Sequence, residues 1–235
     1  MRKITIVFLI YLGTVCAAFS QSSRDFIGVG FGTGMTYGDN SVNPRQFQFK
    51  LQPSVTVQYA KQLDDYWDLR FHAGTQFLNS GEYYHISMPI VTEWGESGQA
   101  YFFRGNAYFL DVMPVYFINP NLSSVGETVN FYVGAGLGAL YSDRSQRVLT
   151  ESQFVNRVFV SGNVIRTKET LVTGYIPIKL GITTNFEYNW DLAVEFTMMT
   201  LFSSSLDGNN IKNKLFQPDA IFNGQIVLKR YLGRY

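Results

Sequence analysis

The residues best placed to do chemistry are charged side chains that recur in alternating, largely apolar segments. They stand opposite the apolar side chains of their segments, and they are Lys50, Asp68, Arg70, Asp111, Lys179, Asp191, Glu195 and Lys229. If the segments are β-strands, these charges share one face, and charges buried together must be paired. The pattern predicts an interior network in which Glu195 pairs with Lys179 or Arg70. A proton-active pair and a gated pore are the alternatives. The expected members of the network are Lys50, Arg70, Asp111, Lys179 and Glu195.

Two histidines, His72 and His85, are the natural candidates for acid–base catalysis. A serine hydrolase needs a nucleophile within hydrogen-bond reach of a histidine, and Ser80 and Ser87 lie nearby in sequence. The sequence contains no Gly-x-Ser-x-Gly motif, and its His, Asp and Glu residues do not have metal-ligand spacing. We therefore predict no enzymatic activity, no cofactor and no metal, with a lipid-modifying enzyme as the less favoured alternative.

Aromatic residues form two groups with different expected roles. Tyr83, Tyr84, Trp94 and Tyr101 belong to a polar stretch, where they could form an exposed patch that binds sugars or a partner. The second group lies at the ends of alternating segments, where membrane proteins carry interfacial aromatic girdles. Its members are Tyr59, Tyr66, Trp67, Phe186, Tyr188 and Trp190.

The elements that would position these residues are clearest in residues 175–208. Apolar side chains occupy every second position of two arms, which are joined by a short turn at residues 185–189. Each arm is roughly 9 to 13 residues long, which suits a tilted strand that crosses a bilayer. The two arms therefore predict a hairpin with an apolar, lipid-facing side. The apolar positions are Ile176, Ile178, Leu180 and Ile182 in the first arm and Trp190, Leu192, Val194, Phe196 and Met198 in the second.

Six further segments alternate in the same way, giving eight strands in total. They are residues 26–38, 47–59, 67–77, 108–118, 131–141 and 220–232. The first and fifth carry a stripe of glycines on the side opposite the apolar residues. Because no helical pattern follows, we interpret the stripes as room for large side chains inside a narrow barrel and not as phosphate-binding loops. An even number of strands fits a closed antiparallel barrel.

The composition agrees with a barrel in which only alternate residues face lipid. Of the 235 residues, 16% are charged and 16% are aromatic, and the mean hydropathy is −0.02. Such a barrel has a much weaker hydropathy signal than a bundle of membrane helices. The net charge of +1 gives no reason to expect nucleic acid as a partner.

The first twenty residues are typical of a secretory signal peptide. Arg2 and Lys3 precede an apolar run at residues 4–12, and small residues follow up to Ser20. We predict cleavage after Ser20, with residues 21–235 forming one barrel. Because Cys16 is the only cysteine, the mature chain would carry neither disulfides nor cysteine metal sites.

The connections between the predicted strands differ in length at the two ends of the barrel. Short periplasmic turns and long extracellular loops are the expected asymmetry, so both termini are predicted to be periplasmic. A hairpin is predicted near residues 161–163, with strands projecting beyond the membrane. The shorter connections are residues 61–66, 119–130 and 185–189, the longer ones are 79–101, 142–170 and 203–219, and residues 39–46 form a shorter first loop.

Several short motifs follow one another along the chain. They are Tyr37-Gly38-Asp39, the run at residues 131–138, Ile176-Pro177 before Leu180-Gly181, Trp190 with Val194-Glu195-Phe196, and Leu206-Asp207-Gly208. In this order they resemble a PorG-like family of small outer-membrane barrels associated with type IX secretion and gliding, within the broader group of eight-stranded OmpA- and OmpX-like barrels. Two features depart from that family: Met198-Met199 stand where an Arg is common, and the segment before Leu206 is rich in serine.

The resemblance implies a barrel that links periplasmic machinery to the bacterial outer membrane. Its implied partners are outer-membrane lipid and a periplasmic lipoprotein or secretion-ring component. The sequence as a whole predicts an all-β, eight-stranded antiparallel transmembrane β-barrel with long extracellular loops. A structural or assembly role is favoured over a small gated pore or an outer-membrane lipid-modifying enzyme.

Overall fold

The structure is a computed structural model, and it describes residues 25–43, 48–120, 129–155, 158–184, 189–209 and 218–232. The predicted signal peptide at residues 1–20 lies outside these ranges, as do Phe186, Tyr188 and most of the turn at residues 185–189. The predictions for these residues therefore stay predictions.

The described residues form strands and one helix. In chain order they are β1 (Phe26–Tyr37), β2 (Val42–Asn43), β3 (Gln48–Phe49), β4 (Gln52–Gln62), β5 (Trp67–Asn79), α1 (Pro89–Glu96), β6 (Ala100–Phe117), β7 (Asn130–Ala135), β8 (Leu137–Val155), β9 (Val158–Thr184), β10 (Trp190–Leu201) and β11 (Ala220–Tyr231).

The main sheet closes into a ring of eight antiparallel strands. β1 pairs with both β4 and β11, and the ring continues from β4 through β5 to β6. β7 and β8 are separated only by Gly136, and both pair with β6 and with β9, so together they act as one barrel strand. β9 pairs with β10, and β10 pairs with β11. The predicted eight-stranded barrel is confirmed.

The alternation seen in the sequence becomes an apolar outer surface and a polar interior. On β10, Leu192, Val194 and Phe196 are exposed, while Asp191 and Glu195 are buried. The same arrangement holds on the other barrel strands, because successive strand side chains point to opposite faces. A continuous apolar belt of this extent suits hydrocarbon far better than water.

The two ends of the barrel differ, as predicted. At the turn end, residues 63–66, 118–129 and 185–189 connect the strands. At the loop end, residues 38–51, 80–99 and 202–219 form long connections, whereas only residues 156–157 separate β8 from β9. Inside the barrel, a small apolar cluster of Met113, Val115, Phe117 and Tyr132 lies toward the turn end. A larger cluster fills the half nearer the loop end, and its members are Leu78, Phe103, Ala107, Phe109, Leu140, Tyr175, Met199, Leu201, Leu206 and Ile221.

The segment at residues 142–170 is not the loop that the sequence predicted. β8 has 19 residues and β9 has 27, far more than the roughly 9 to 11 that a tilted strand needs to cross a bilayer. Their ladder continues until Val155 pairs with Val158, so the strands project beyond the belt, as predicted.

The predicted hairpin position near residues 161–163 is wrong. Ser161 and Asn163 lie within β9, where they pair with Gln153 and Thr150. The chain reverses between Val155 and Val158. Apolar and β-branched cross-strand pairs, such as Val148 with Ile165 and Leu149 with Val164, stabilise the ladder more than the Ser-Gly-Asn sequence favours a turn.

The connection at residues 80–99 contains a helix that the sequence reading missed. α1 begins with Pro89, a favourable residue for a first helical turn, and it buries Val91, Trp94 and Gly95. It packs on β8 through Leu149, whose carbonyl oxygen would lie 1.9 Å from a Cβ at Gly95. In the part of the chain that the structure describes, no helix is both long and apolar enough to span a membrane.

Candidate functional site

Glu195 is the centre of the polar interior. Its Oε1 accepts hydrogen bonds from the Tyr132 hydroxyl at 2.7 Å, from Arg70 Nη1 at 3.2 Å and from Gln58 Nε2 at 3.3 Å. Its Oε2 accepts one from Lys179 Nζ at 2.6 Å. The residue is 2% exposed, so this carboxylate is compensated by two cations and two neutral donors. Glu195 therefore contacts both of the cations that the sequence offered as alternatives.

A second branch runs from Lys179 through His72 to Asp111. Lys179 Nζ lies 2.9 Å from His72 Nε2, and His72 Nδ1 lies 2.9 Å from Asp111 Oδ1. An ammonium group can only donate, so the Lys179 contact requires Nε2 to accept, with Nδ1–H donating to Asp111. The Gln58 amide oxygen lies 2.7 Å from the same Nε2 and can only accept, so the two contacts at Nε2 require different tautomers. The Tyr175 hydroxyl donates to Asp111 Oδ2 at 2.6 Å. We call Arg70, His72, Asp111, Lys179 and Glu195, with Gln58, Tyr132 and Tyr175, the lumen network.

Two tyrosine–glycine pairs explain how the network reaches across strands. Tyr132 pairs with Gly181 on β9, and a Cβ at Gly181 would lie 2.2 Å from the tyrosine ring. Tyr175 pairs with Gly138 on β8, where a Cβ would lie 2.3 Å from the ring. In each pair, the missing side chain lets the ring lie across the neighbouring strand and carry its hydroxyl to a carboxylate. Gly138 belongs to one of the predicted stripes, and it makes room for a large side chain as expected.

Arg70 closes the network toward the turn end. Its guanidinium carbon lies 4.2 Å from the centre of the Tyr132 ring and within 5.3 and 5.5 Å of the Phe26 and Phe117 rings. Nη2 lies 3.5 Å from Asp68 Oδ2, an ion-pair distance without hydrogen-bond geometry. Three aromatic faces and two carboxylates therefore hold a fully buried cation.

A smaller polar group occupies the turn end of the lumen. Lys229 Nζ donates to Thr183 Oγ1 at 2.8 Å, and the Thr183 hydroxyl donates to Asp191. The same ammonium lies 4.8 Å from the centre of the Tyr132 ring, which joins this group to the lumen network. Asp191 and Lys229 thus lie inside, on the predicted face.

Lys50 does not belong to the network, which corrects the sequence prediction. It is exposed and lies just before β4, which begins at Gln52. The predicted strand began at residue 47, so the alternation was extended through residues that are not in the barrel ladder. Lys50 precedes the residues of β4 that pair with neighbouring strands. The alternation of strand side chains between the two faces of the sheet therefore does not place Lys50 inside the barrel.

Around the network, the described side chains fill the lumen. The cavity beside the network has a volume of about 10 Å³, and His72, Asp111, Lys179 and Phe109 are among the residues that line it. Such a space holds roughly one water molecule. The apolar clusters lie on either side of this polar layer, as expected for an eight-stranded barrel whose side chains occupy its interior.

The aromatic residues of the loop end form a packed cap and not an exposed patch. Trp94 and Tyr101 are only 7% and 8% exposed, and they pack with Val91 and Leu149. Tyr84 is partly buried, and its ring centre lies 4.7 Å from that of Trp94 with an angle of 62° between the ring planes. Burial, together with the charge of Asp39, raises the pKa of the Tyr84 phenol. The predicted exposed patch is therefore wrong for Trp94 and Tyr101. We call Tyr84, Val91, Trp94, Tyr101 and Leu149 the aromatic cap.

Tyr83 lies beside the cap and is only partly buried. Its ring covers Gly81, where a Cβ would lie 2.5 Å from the ring. Gly81 has φ of +80°, a conformation that favours glycine, so this turn presents Tyr83 at the surface. Of the four aromatic residues in the predicted patch, Tyr83 is the one that keeps a surface position.

The two histidines have different surroundings, and neither forms a catalytic triad among the described residues. The contacts of His72 are with Asp111, Gln58 and Lys179. His85 Nδ1 lies 2.8 Å from Ser87 Oγ, and the Ser87 backbone N–H also donates to it. This pair caps a local turn, and no group of three or more His, Cys, Asp and Glu side chains in the described ranges is placed to hold a metal ion.

Two of the motifs that carried the family resemblance meet at the loop end. Asp207 accepts hydrogen bonds from the backbone N–H groups of Asp39 and Asn40. The Asn40 side chain donates to the carbonyl oxygens of Ala100, at 2.8 Å, and of Asp207, at 3.0 Å. A Cβ at Gly38 would lie 2.5 Å from the Asp207 carboxylate, so only glycine fits there. Tyr37-Gly38-Asp39 and Leu206-Asp207-Gly208 therefore form one structural unit, which we call the rim latch.

Sequence reasoning missed Tyr132, Tyr175 and Gln58 as members of the lumen network. The two tyrosines stand on lumen-facing positions of glycine-containing strands, and a tyrosine paired with a glycine across the ladder is a signal that could have found them. Using that signal needs the strand register, which the alternation does not supply.

A closed antiparallel ring with an apolar outside and a buried polar layer inside defines the chain as a small transmembrane β-barrel. Neisserial surface protein A has the same fold, with a TM-score of 0.51 and 8% identity over 88% of this chain and 97% of that chain. The attachment invasion locus protein Ail of Yersinia pestis matches with a TM-score of 0.46 and 12% identity, over 90% of this chain and 100% of its own. OprG, an outer membrane protein from Pseudomonas aeruginosa, matches with a TM-score of 0.44 and 10% identity, over 91% and 98%.

At these identities the likeness concerns the fold alone. No protein-family model matches the chain, and no curated protein does.

Proposed function

We propose that the chain is a non-conducting outer-membrane barrel with a structural or assembly role, joined at its turn end to a periplasmic component of type IX secretion. In this orientation both termini are periplasmic, and the cap, the rim latch and the β8–β9 hairpin are outside the cell. The apolar belt and the fold shared with outer-membrane barrels support the location.

The observation that carries the structural role is the filled lumen. An open pore needs a continuous water path, whereas here a charge-paired layer lies between two apolar clusters. Breaking buried, hydrogen-bonded ion pairs to open such a path costs several kcal/mol for each charge left unpaired. A barrel built in this way acts as a rigid anchor in the membrane.

The secretion role is supported by the motif resemblance. Two of those motifs form the rim latch, and each provides one partner of the hydrogen bonds between them. They therefore share one structural role. At the turn end, Leu63 and Ile118 are 57% and 61% exposed on short connections, which offers a periplasmic partner an apolar contact surface. We expect that partner to be a lipoprotein or a secretion-ring component.

Conductance measurement tests the non-conducting role. Purified protein in planar bilayers should give no ion-current steps, because the lumen network closes the path. As a positive control for the method, Phe109→Gly with Leu140→Gly would thin the apolar cluster near the loop end and is expected to raise leakage. Regular current steps from the unchanged protein would contradict the proposal and favour the gated pore.

A pull-down from intact envelopes tests the partner. Tagged protein should co-purify a periplasmic lipoprotein, and Leu63→Ser with Ile118→Ser should reduce the recovery several-fold. Ile90→Ser with Val160→Ser is the matched control, because it removes two exposed apolar side chains at the loop end instead. Equal losses in the two double variants would show that the turn end is not the docking surface.

A further inference from the structure

A group of arginines lies on the outer wall of the barrel, near the loop end, and no role described so far uses it. Arg104 on β6, Arg147 on β8 and Arg166 on β9 line a cavity of about 320 Å³ together with Asn106, Ser145 and Phe102. The site is open to the outside of the barrel and lies on the face opposite the lumen network. We call it the arginine site.

The strand register concentrates positive charge at this site. Arg147 pairs directly with Arg166, and Arg104 pairs with Ser145, which is two residues from Arg147 on the same face of β8. Lys168, which is exposed, lies opposite Ser145 and adds a fourth cation to this region. Like charges directly opposite one another destabilise a ladder, so the arrangement favours a bound anion that offsets the repulsion.

The charges near the site leave the arginines uncompensated. Among the described residues, no carboxylate forms an ion pair with Arg104, Arg147 or Arg166. On the same face of the ladder, Asp143 pairs with Asn106 one step closer to the apolar belt. One carboxylate beside four cations leaves a clear positive excess.

One arginine is already oriented. The Arg147 guanidinium carbon lies 4.6 Å from the centre of the Phe102 ring, a cation–π contact that limits its rotation. A planar guanidinium held in this way can offer two parallel N–H donors to a phosphate oxygen pair. Ser145 and Asn106 add neutral donors to the same cavity.

The height of the site above the apolar belt identifies the kind of ligand. Tyr108 and Tyr141 pair across β6 and β8 with stacked rings 6.2 Å apart, and both are exposed at the upper edge of the belt. Arg104 and Ser145 follow four residues farther along the two strands, which is about 13 Å at the usual rise per residue. That separation places the arginines at the headgroup level of the outer leaflet, with the apolar belt directly below them.

We propose that the arginine site binds a phosphate group on the headgroup of an outer-leaflet lipid, whose acyl chains lie along the belt beneath it. A lipid would contact both the arginines and the apolar belt, whereas a free phosphate ion would contact the arginines alone. The inference rests on the proposed orientation, in which the loop end faces outward, and is independent of the secretion role.

Titration of lipids onto the full-length protein in detergent, followed by native mass spectrometry, tests the proposal. The probes are diphosphorylated lipid A, the same lipid after enzymatic removal of its phosphates, and inorganic phosphate. The unchanged protein should bind the phosphorylated lipid about tenfold more tightly than the dephosphorylated one, since two charge-assisted contacts are lost with the phosphate. Inorganic phosphate should compete only at far higher concentration.

Two double variants locate the binding. Arg147→Gln with Arg166→Gln should abolish the preference for the phosphorylated lipid. Lys50→Gln with Arg230→Gln removes the same charge from exposed positions elsewhere and should keep the preference within about twofold, as expected for nonlocal charge changes screened by salt. Circular dichroism and heat-dependent gel mobility show that both variants are folded.

Three outcomes would overturn the proposal. The first is equal binding of the two lipids by the unchanged protein. The second is an equal loss of preference in both double variants, which would indicate nonspecific attraction by net charge. The third is competition by inorganic phosphate at the same concentration as the lipid, which would assign the site to a free anion.

Discussion

The lumen network and the aromatic cap are two well-packed regions of the same barrel, built on different principles. In the network, β4, β5, β6, β7, β9 and β10 each contribute one or two polar side chains, and Glu195 on β10 bonds those of β4, β5, β7 and β9 through four hydrogen bonds. In the cap, a helix and a long hairpin bury apolar rings against each other, and the contacts are mostly nonpolar. The network links the strands of the ring from β4 to β10, whereas the cap stabilises one loop on top of the barrel.

This difference predicts how far the destabilising effect of a substitution extends through the barrel. A change in the network leaves a buried charge unpaired and is felt by every strand that contributes a partner. A change in the cap frees a loop without disturbing the ladder, because local unfolding involves only the contacts of that unit.

The largest effect is expected from Glu195→Gln. It leaves Lys179 without its ion pair and Arg70 with Asp68 as its one remaining carboxylate, so the free energy of unfolding should fall by about 3 to 5 kcal/mol. Urea unfolding in lipid vesicles, followed by tryptophan fluorescence, measures the loss. Glu93→Gln, at an exposed position of α1, is the matched control and should change little.

A second substitution separates charge imbalance from lost packing in that variant. Adding Lys179→Met to Glu195→Gln removes the cation that lost its ion pair and should restore part of the stability. If the double variant is as unstable as the sum of the single changes, the two residues do not act as a pair.

An intermediate and local effect is expected from Trp94→Ala. The cap should lose about 3 kcal/mol of local stability, which raises the open fraction of the loop about a hundredfold. Cleavage by a glutamate-specific protease at Glu93 and Glu96 reports this opening, while the unfolding midpoint of the barrel should stay unchanged. Trp190→Ala at the turn end is the control, and equal cleavage in both variants would argue against a separate cap.

The smallest effect is expected from Lys50→Gln. Because Lys50 is exposed and outside the network, the free energy of unfolding should stay within about 0.5 kcal/mol of the original. Lys179→Gln, the same substitution inside the lumen, should cost several times more. A comparable loss at both positions would place Lys50 back among the lumen charges.

The fold was largely predictable because the strand period is two and a barrel has only two faces. That rule placed Arg70, Asp111, Lys179 and Glu195 inside without any knowledge of the neighbouring strands. It could not place Lys50, since the rule fails where the paired ladder ends. Nor could it choose the partner of Glu195, which depends on the stagger between strands.

The secondary structure of the loop end could not be predicted from the sequence, for a different physical reason. α1 is eight residues long, too short for its apolar positions to define a helical period against a background rich in aromatics. The reversal between Val155 and Val158 was missed because a nearby Ser-Gly-Asn sequence resembles a turn, while cross-strand packing decides the outcome. Contacts in the cap and the rim latch follow no period, so only the structure shows them.

The length of the β8–β9 hairpin has a consequence for how the barrel assembles. In the proposed orientation, the tip of this hairpin must cross the hydrocarbon layer before its strands can span the membrane. The hairpin carries charged residues, among them Glu151, Arg166 and Lys168. Each charge resists that passage, and the backbone of an incomplete ladder adds to the barrier. Insertion time should therefore depend on this one hairpin, and shortening it in matched steps from the tip should speed membrane entry without altering the finished wall.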